Sequence, residues 1–331
     1  MTLIGVVIIG RNEGNRLRDC LLSVLGKGRI VYVDSGSTDG SVALARSLNV
    51  DVVELDLSIP FTAARARNAG FEYLLQVEPS VEFVQFVDGD CQVVEGWLES
   101  AVSQLVAHPE VVVVCGRRRE RERDRTIYNR LCDIEWDTPI GEAQACGGDA
   151  MMRVSALQQV GGFNPTLIAG EEPELCVRLR RAGGKIFRID ADMTIHDAQM
   201  TRFGQWWKRN LRAGHAYAEG SWLHGGSPER HWLKESRSIW FWGLLLPLIT
   251  VASVWFTSGF SLLLLLVAYA VLVYKVYKYT LKRGYNFSDA ALYSLSCLLG
   301  KFPQVQGQLQ FHISRLLKRQ RTLVEYKSAT S

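Results

Sequence analysis

Residues 239–274 contain no Asp, Glu, Lys or Arg, and nothing else in this 331-residue chain restricts its folding so severely. As one helix these 36 residues would run about 54 Å at roughly 1.5 Å per residue, too long for one crossing of a hydrocarbon core about 30 Å thick. Thr257-Ser258-Gly259 divides the stretch into two halves near the minimum spanning length. Trp240, Trp242, Trp255, Tyr269 and Tyr274 fall near the ends. The pattern reads as a transmembrane helical hairpin, residues 239–283, with both flanks on one side. Arg230, Lys234 and Arg237 before it, and Lys275, Lys278, Lys282 and Arg283 after it, assign both flanks to the cytoplasm. The competing reading is a buried helical pair in a soluble domain, but core helices seldom lack charge on every face. Residues 287–299 are too short to span and read as an interfacial amphipathic helix.

Charge is distributed unevenly around this segment. From Lys275 onward ten Lys/Arg face only Asp289 and Glu325, a net +8, so the rest of the chain carries −4. A basic region beside an apolar one suits anionic lipid, and the acidic body argues against nucleic acid as a partner. Seven cysteines, an odd number without a CxxC pair, read as reduced thiols rather than a disulfide framework or a zinc site. The apolar run at residues 3–9 has no basic residue before it and reads as a first buried strand, not a signal peptide.

The first two hundred residues alternate between short β-branched runs and helical patterns. Strands are expected at 3–9, 29–33, 51–55, 83–87, 111–115 and 185–189. Helices are expected from Leu17 to Leu25 and over 42–48, 64–75 and 97–107. Such alternation predicts an α/β domain with a largely parallel sheet, whose ligands lie beyond the carboxyl ends of the strands. The polar link Gly225-Gly226-Ser227-Pro228 closes it. The expected division is therefore 1–225 for the α/β domain and 226–238 for a linker. Residues 239–283 form the hairpin, and 284–331 the interfacial helix and basic tail.

The candidate chemistry lies at those strand ends. Asp88-Gly89-Asp90 follows an apolar strand, and paired carboxylates there suit Mg²⁺ or Mn²⁺ whose shell is completed by diphosphate oxygens; an ordinary Asp-Gly turn would look the same. Asp34-Ser35-Gly36-Ser37-Thr38-Asp39-Gly40 offers backbone donors and hydroxyls, with Asp34 able to accept from a base or ribose. It also suits a capping loop with Ser37 or Asp39 at the N-cap. Gly170-Glu171-Glu172-Pro173-Glu174-Leu175 opens a helix whose acidic first turn suits the macrodipole, yet a Glu near a bound diphosphate is also a candidate general base. His196 is a candidate metal or phosphate ligand. Residues 117–125 hold six Arg against Glu120, Glu122 and Asp124, an alternation that reads mainly as a solvated, self-paired face.

Taken together, these segments resemble the family 2 glycosyltransferases and their GT-A nucleotide-binding domain. Arg11-Asn12-Glu13 is similar to the family's opening loop, and Val33 to Ser41 to its second loop. Ala66-Arg67-Asn68-Ala69-Gly70 is similar to its Ala-Arg-Asn-x-Gly helix, and Asp88-Gly89-Asp90 to its metal-binding Asp-x-Asp. Gly161-Gly162-Phe163 with Glu171 to Leu175 is similar to its acceptor-side segment. The resemblance spans about residues 3–200. It implies that Asp34 and Glu13 hold base and ribose, that Arg67 and Asp88 act at the donor, and that Asp90, with Asp88 and His196, binds a divalent metal. Glu172 stands where the family usually has a catalytic Asp, with Glu171 and Glu174 as alternatives. Arg11 stands where an aromatic residue is common.

The implied activity is inverting transfer of a sugar from a nucleotide-diphosphate donor, by family default a UDP-sugar. The acceptor would be a lipid-linked saccharide or another membrane-proximal group in polysaccharide or cell-envelope synthesis. Anchored enzymes of this kind are frequent in bacteria, which makes the inner membrane the expected location. Two other readings compete: a non-catalytic membrane scaffold that binds nucleotide sugar, favoured only by Glu in place of Asp, and a nucleotidyltransferase. The latter would want a Gly-rich basic loop after the first strand, which Gly10-Arg11-Asn12-Glu13 supplies poorly.

Overall fold

The computed structural model describes residues 4–226 and 228–318. Leu3, Ser227 of the polar link, and Arg319, Arg321, Glu325 and Lys327 of the basic tail lie outside the described residues. The chain separates into two compact units: 1–122 with 136–198, and 123–135 with 199–331.

The first unit begins with three βα steps: β1 (Ile4–Gly10), α1 (Asn15–Val24), β2 (Arg29–Asp34), α2 (Ser41–Ser47), β3 (Asp51–Glu54) and α3 (Ala63–Val77), leading to β4 (Phe83–Asp88). Strands β3, β2, β1 and β4 lie side by side, all parallel. The middle of β1 is buried at every position, as expected of a parallel strand covered on both faces. A Cβ at Gly70 of α3 would collide with Val7 and Val33, so only glycine lets this helix approach the sheet so closely.

Beyond β4 the sheet is mixed. β5 (Cys91–Val93), α4 (Trp97–Ala107), β6 (Val111–Glu120), α5 (Ile127–Trp136), β7 (Gly141–Ala143), β8 (Ala150–Arg153), α6 (Val154–Gln159), α7 (Glu171–Arg181) and β9 (Lys185–His196) follow. β8 inserts antiparallel to both β4 and β6, β6 and β9 are parallel, and β5 and β7 both run antiparallel to β9. The largely parallel sheet expected from alternation therefore holds for the first four strands in the order. β5, β7 and β8 have only three or four residues, too few for a period of two to stand out. β9 continues well past Ile189, and its register places His196 opposite both Cys91 of β5 and Glu120 of β6.

The second unit is helical. α8 (Phe203–His224) leads to α9 (Leu233–Trp240), which continues through a π-helical segment, Phe241–Leu245, into α10 (Leu246–Ser253). After a turn come α11 (Phe260–Lys282), α12 (Phe287–Leu299) and α13 (Lys301–Leu316). Proline explains the π segment. In the wider register Pro247 would donate to the carbonyl of Trp242 but has no N–H. The hydroxyl of Tyr269 on α11 donates to that carbonyl instead, at 2.9 Å. Ser261 likewise donates to the carbonyl of Thr250 at 3.1 Å, so α10 and α11 form the expected hairpin. Gly259 turns it with φ of 85°.

Two helices, Leu233–Ser253 and Phe260–Lys282, are long and apolar enough to cross a membrane, and only 22% and 6% of their most apolar windows are buried. That exposure argues against the soluble alternative, whose paired helices would be buried in a core. α12 occupies the residues expected of an interfacial helix, capped by Asn286, whose side chain accepts from the Asp289 N–H at 2.9 Å. Residues 301–316, read as part of a basic tail, instead form a helix packed along α8. Cβ atoms at Gly214 or Gly307 would strike the backbone of the opposite helix. This contact groups α8 with the helices, so compactness divides the chain near 198, whereas composition divides it at 225. Segment 123–135 joins the same unit through Arg123, which pairs with Asp133 at 3.2 Å and with Asp289 of α12 at 2.5 Å.

Candidate active site

The loops after β1 and β2 are tied to each other. Asn12, at φ 56°, donates its N–H to Ser37 Oγ at 2.9 Å and accepts from the Thr38 N–H at 2.7 Å. Gly14 N–H donates to Asp39 at 2.9 Å. Asp34 is buried at the end of β2. Its Oδ1 accepts from the Tyr32 hydroxyl at 2.8 Å and its Oδ2 from the N–H groups of Gly36 and Ser37, at 2.9 and 2.8 Å. Asp34 thus orders its own loop whatever else it binds. The helix cap differs from either sequence candidate: Gly40, with φ of 85°, is the N-cap of α2, and Asp39 accepts from the N–H and hydroxyl of Ser41. Glu13 pairs with Arg16 at 2.7 Å and lies beside Gly89.

Arg67 gathers carboxylates from distant parts of the chain. Its guanidinium, 2% exposed, lies 2.8 Å from Asp88, 3.1 Å from Glu171 and 3.0 Å from Glu172. Burial alone would lower the pKa of Arg67, but Glu172, Asp88 and Glu171 raise it above its ordinary value. Burial, then the neighbouring Glu171, push Glu172 up to about 7 although Arg67 pulls the other way. Glu174 is differently placed: Arg178, one turn on, grips both of its oxygens at 2.8–3.1 Å. Of the three candidate bases, Glu171 and Glu172 share the Arg67 cluster.

A second cluster sits where β5, β6 and β9 meet. His196 Nε2 lies 3.4 Å from Asp90 Oδ2, and its Nδ1 lies 3.6 Å from Glu120 Oε2. All three side chains are buried, and Trp136 presents its ring edge-on at 4.6 Å between centroids. Asp90, Cys91 and His196 offer ligand atoms within 4.8 Å of one another. The Cys91 thiol is a soft donor, less suited to hard divalent cations than oxygen or imidazole. The remaining oxygen and imidazole donors suit Mn²⁺ or Mg²⁺, with Glu120 behind the imidazole as an orienting carboxylate. The donor set therefore fits a divalent cation.

Asp149 and Arg118 escaped the sequence reading and join the two clusters. Asp149, fully buried, accepts from the N–H of Asp88 at 3.0 Å and from Thr194 at 2.6 Å, and pairs with Arg118 at 2.8 Å. The run at 117–125 is consequently not all solvated. Arg119 meets Asp192 and Arg121 meets Asp19 near the surface, whereas Arg118 turns inward over Trp136. The sequence signal was Gly147-Gly148 before an Asp: a Cβ on Gly148 would fall 2.5 Å from Arg67 and 2.8 Å from Asp88.

A parallel sheet extended by mixed strands, with carboxylates collected at the strand ends and a fitting cation site, is the GT-A architecture. Residues 5–161 match the model described as Glycosyl transferase family 2, so this part of the chain carries that family's domain. Residues 132–202 match a second model, the N-terminal domain of galactosyltransferase. A pre-mycofactocin glycosyltransferase of Mycobacterium tuberculosis is 28% identical over 63% of this chain and 45% of its own length, so the chain spans less than half of that relative. Glycosyltransferase AglE of Haloferax volcanii is 25% identical over 65% of this chain and 72% of its own. In fold, the chain is similar to mannosyltransferase PcManGT from Pyrobaculum calidifontis, solved with GDP-Man and Mn²⁺. The TM-score is 0.64 at 16% identity, over 93% of this chain and 86% of that one. The shared fold therefore extends beyond the residues that the family models match.

Removing the shared cation tests the Arg67 cluster. Arg67→Gln is expected to cost about 3–5 kcal/mol of unfolding free energy at pH 8. The cost should be smaller at pH 6, where proton uptake by Glu172 relieves the repulsion left behind. Denaturant titration at the two pH values checks this, and a deficit that grows on acidification contradicts it.

Proposed function

We propose that this chain is an inverting, metal-dependent glycosyltransferase that moves a sugar from a nucleoside-diphosphate donor, by family default UDP-linked, to a lipid-linked saccharide or other membrane-proximal acceptor. The observation that carries this reading is the pairing of Glu172, raised to about 7, with Arg67 and Asp88 in one buried cluster. A carboxylate of that pKa takes up a proton effectively near neutral pH.

In this mechanism Asp34 and Glu13, on the linked loops after β1 and β2, hold the base and ribose. Asp90 and His196, with Asp88 on the side of the diphosphate, would hold the divalent cation. When bound, that ion supplies charge stabilisation to the departing diphosphate. Arg67 keeps Glu171 and Glu172 together and aims Glu172 at the acceptor. Glu172 accepts the acceptor's hydroxyl proton while that oxygen attacks the anomeric carbon, and attack opposite the leaving group inverts the configuration. Glu171, with its carboxylate on Arg67 Nη1, steadies the guanidinium and raises Glu172 further. A pure binding scaffold would have no use for a carboxylate tuned in this way.

The two exposed apolar helices support membrane insertion as a hairpin, and their basic flanks favour the cytoplasmic side; a bacterial inner membrane, with the acceptor presented at the bilayer, is the setting we propose. Carbonate washing of membranes should leave the full-length chain in the pellet; quantitative release would rule out spanning.

For the chemistry, Glu172→Gln is expected to lower transfer at least 100-fold, the lower end for loss of a general base. The donor KM should stay near that of the wild type. Wild-type kcat/KM should rise with pH and level off above about 7, and that limb should disappear in the variant. Activity within a few-fold of wild type would remove Glu172 from the mechanism.

A further inference from the structure

We propose that Asp149, with Arg118 as its counter-ion, is the positioning residue for the Asp88 carboxylate. The inference rests on the proposed function, in which Asp88 faces the metal-bound diphosphate. It adds a residue that touches neither donor nor acceptor in that scheme.

Asp149 sits on the turn into β8, the strand that lies antiparallel against β4. It has no exposed surface. One carboxylate oxygen accepts from the backbone N–H of Asp88 at 3.0 Å, fixing the chain at the point where β4 ends. The other accepts from Thr194 on β9 at 2.6 Å and faces Arg118 Nη2 at 2.8 Å. That same Nη2 is 3.4 Å from Asp88 Oδ2. Arg118 therefore stands between two carboxylates and sits nearer to Asp149. Its guanidinium lies over the Trp136 ring, 5.6 Å from the centroid. Gly148 presses on Asp88 from the same side, where a Cβ would find no room.

A fully buried carboxylate needs a partner charge, and a buried guanidinium needs one as much. Asp149 takes the shorter contact with Arg118, at 2.8 Å, and leaves Asp88 Oδ2 the longer one, at 3.4 Å. Without that charge Arg118 has Asp88 as its close anionic neighbour. It then shifts from the shared position fully onto Asp88 and competes with the divalent cation for the carboxylate. Asp149 acts through two routes: a hydrogen bond that sets the Asp88 backbone, and a charge that limits how closely Arg118 pairs with the Asp88 side chain.

The two routes are separable. Asp149→Asn keeps an oxygen for the Asp88 N–H, turns its NH₂ toward the Thr194 hydroxyl, which can accept from it, and loses the charge. Full-length protein in detergent is titrated with Mn²⁺ in the presence of UDP or GDP, whichever supports wild-type binding, and free Mn²⁺ is read by electron paramagnetic resonance. Asp149→Asn should weaken Mn²⁺ binding about tenfold, and the double variant Asp149→Asn/Arg118→Gln should recover most of that loss. A general folding defect would not produce recovery, and thermal melts of all three proteins report folding directly. Unchanged Mn²⁺ affinity in folded Asp149→Asn, or a double variant no better than the single one, overturns the positioning role. Wild-type protein that binds no Mn²⁺ with either nucleotide fails at an earlier stage, because that outcome removes the proposed donor site itself.

Discussion

The buried guanidinium of Arg67 is the interaction on which the site depends. It meets Asp88 from the end of β4 and both Glu171 and Glu172 from the first turn of α7, segments more than eighty residues apart. Three carboxylates crowded together would repel one another in a low-dielectric setting, and without a shared cation they would separate or take up protons. One Arg for three acids leaves an excess of negative charge, and burial first, then that excess, raise the pKa of Glu172. In the proposed mechanism, the same imbalance that would destabilise an ordinary core prepares a proton acceptor. Asp149 and Arg118 extend the principle on the other side of Asp88, where a second buried pair flanks the same carboxylate.

Much of this was legible in the sequence because the chemistry sits where chain and sheet topology agree. The three βα steps and β4 carry their candidate site residues at strand ends, so Asp34, Asp88 and Asp90 could be found from strand patterns. The second half of the sheet was less legible. β5, β7 and β8 are too short to show alternation, and β8 inserts between strands distant in sequence. Asp149 depends on that insertion and so gave only a Gly-Gly-Asp hint. Arg118 was hidden for a different reason. It lies in an alternating charged run that resembles a solvated face, and only the pleat of β6 separates the inward Arg118 from the outward Arg119. His196 was visible as a residue but not as a neighbour, since β9 runs well past its apolar start before pairing His196 with Cys91 and Glu120.

The helical unit follows from a different balance. Its charge-free stretch specified a hairpin, and the turn falls at Gly259 as expected. Composition did not disclose that α13 would form along α8, because that packing relies on glycines at 214 and 307 rather than on an apolar stripe. Nor did it disclose the π segment, which follows from Pro247 and is completed by the Tyr269 hydroxyl. In an apolar environment a backbone carbonyl left without a donor is costly, so this side-chain donor stabilises the bend within a helix able to span.

The central claim is that the carboxylate and imidazole cluster supports transfer from a nucleoside-diphosphate sugar. Its most direct test is nucleoside diphosphate release by purified full-length protein in detergent, with UDP-, GDP- and dTDP-sugars, Mn²⁺ or Mg²⁺, and a membrane lipid extract. The account predicts release from one donor that requires both the metal and the extract. Binding of a nucleotide sugar with no release under any combination would contradict it and leave a scaffold in its place.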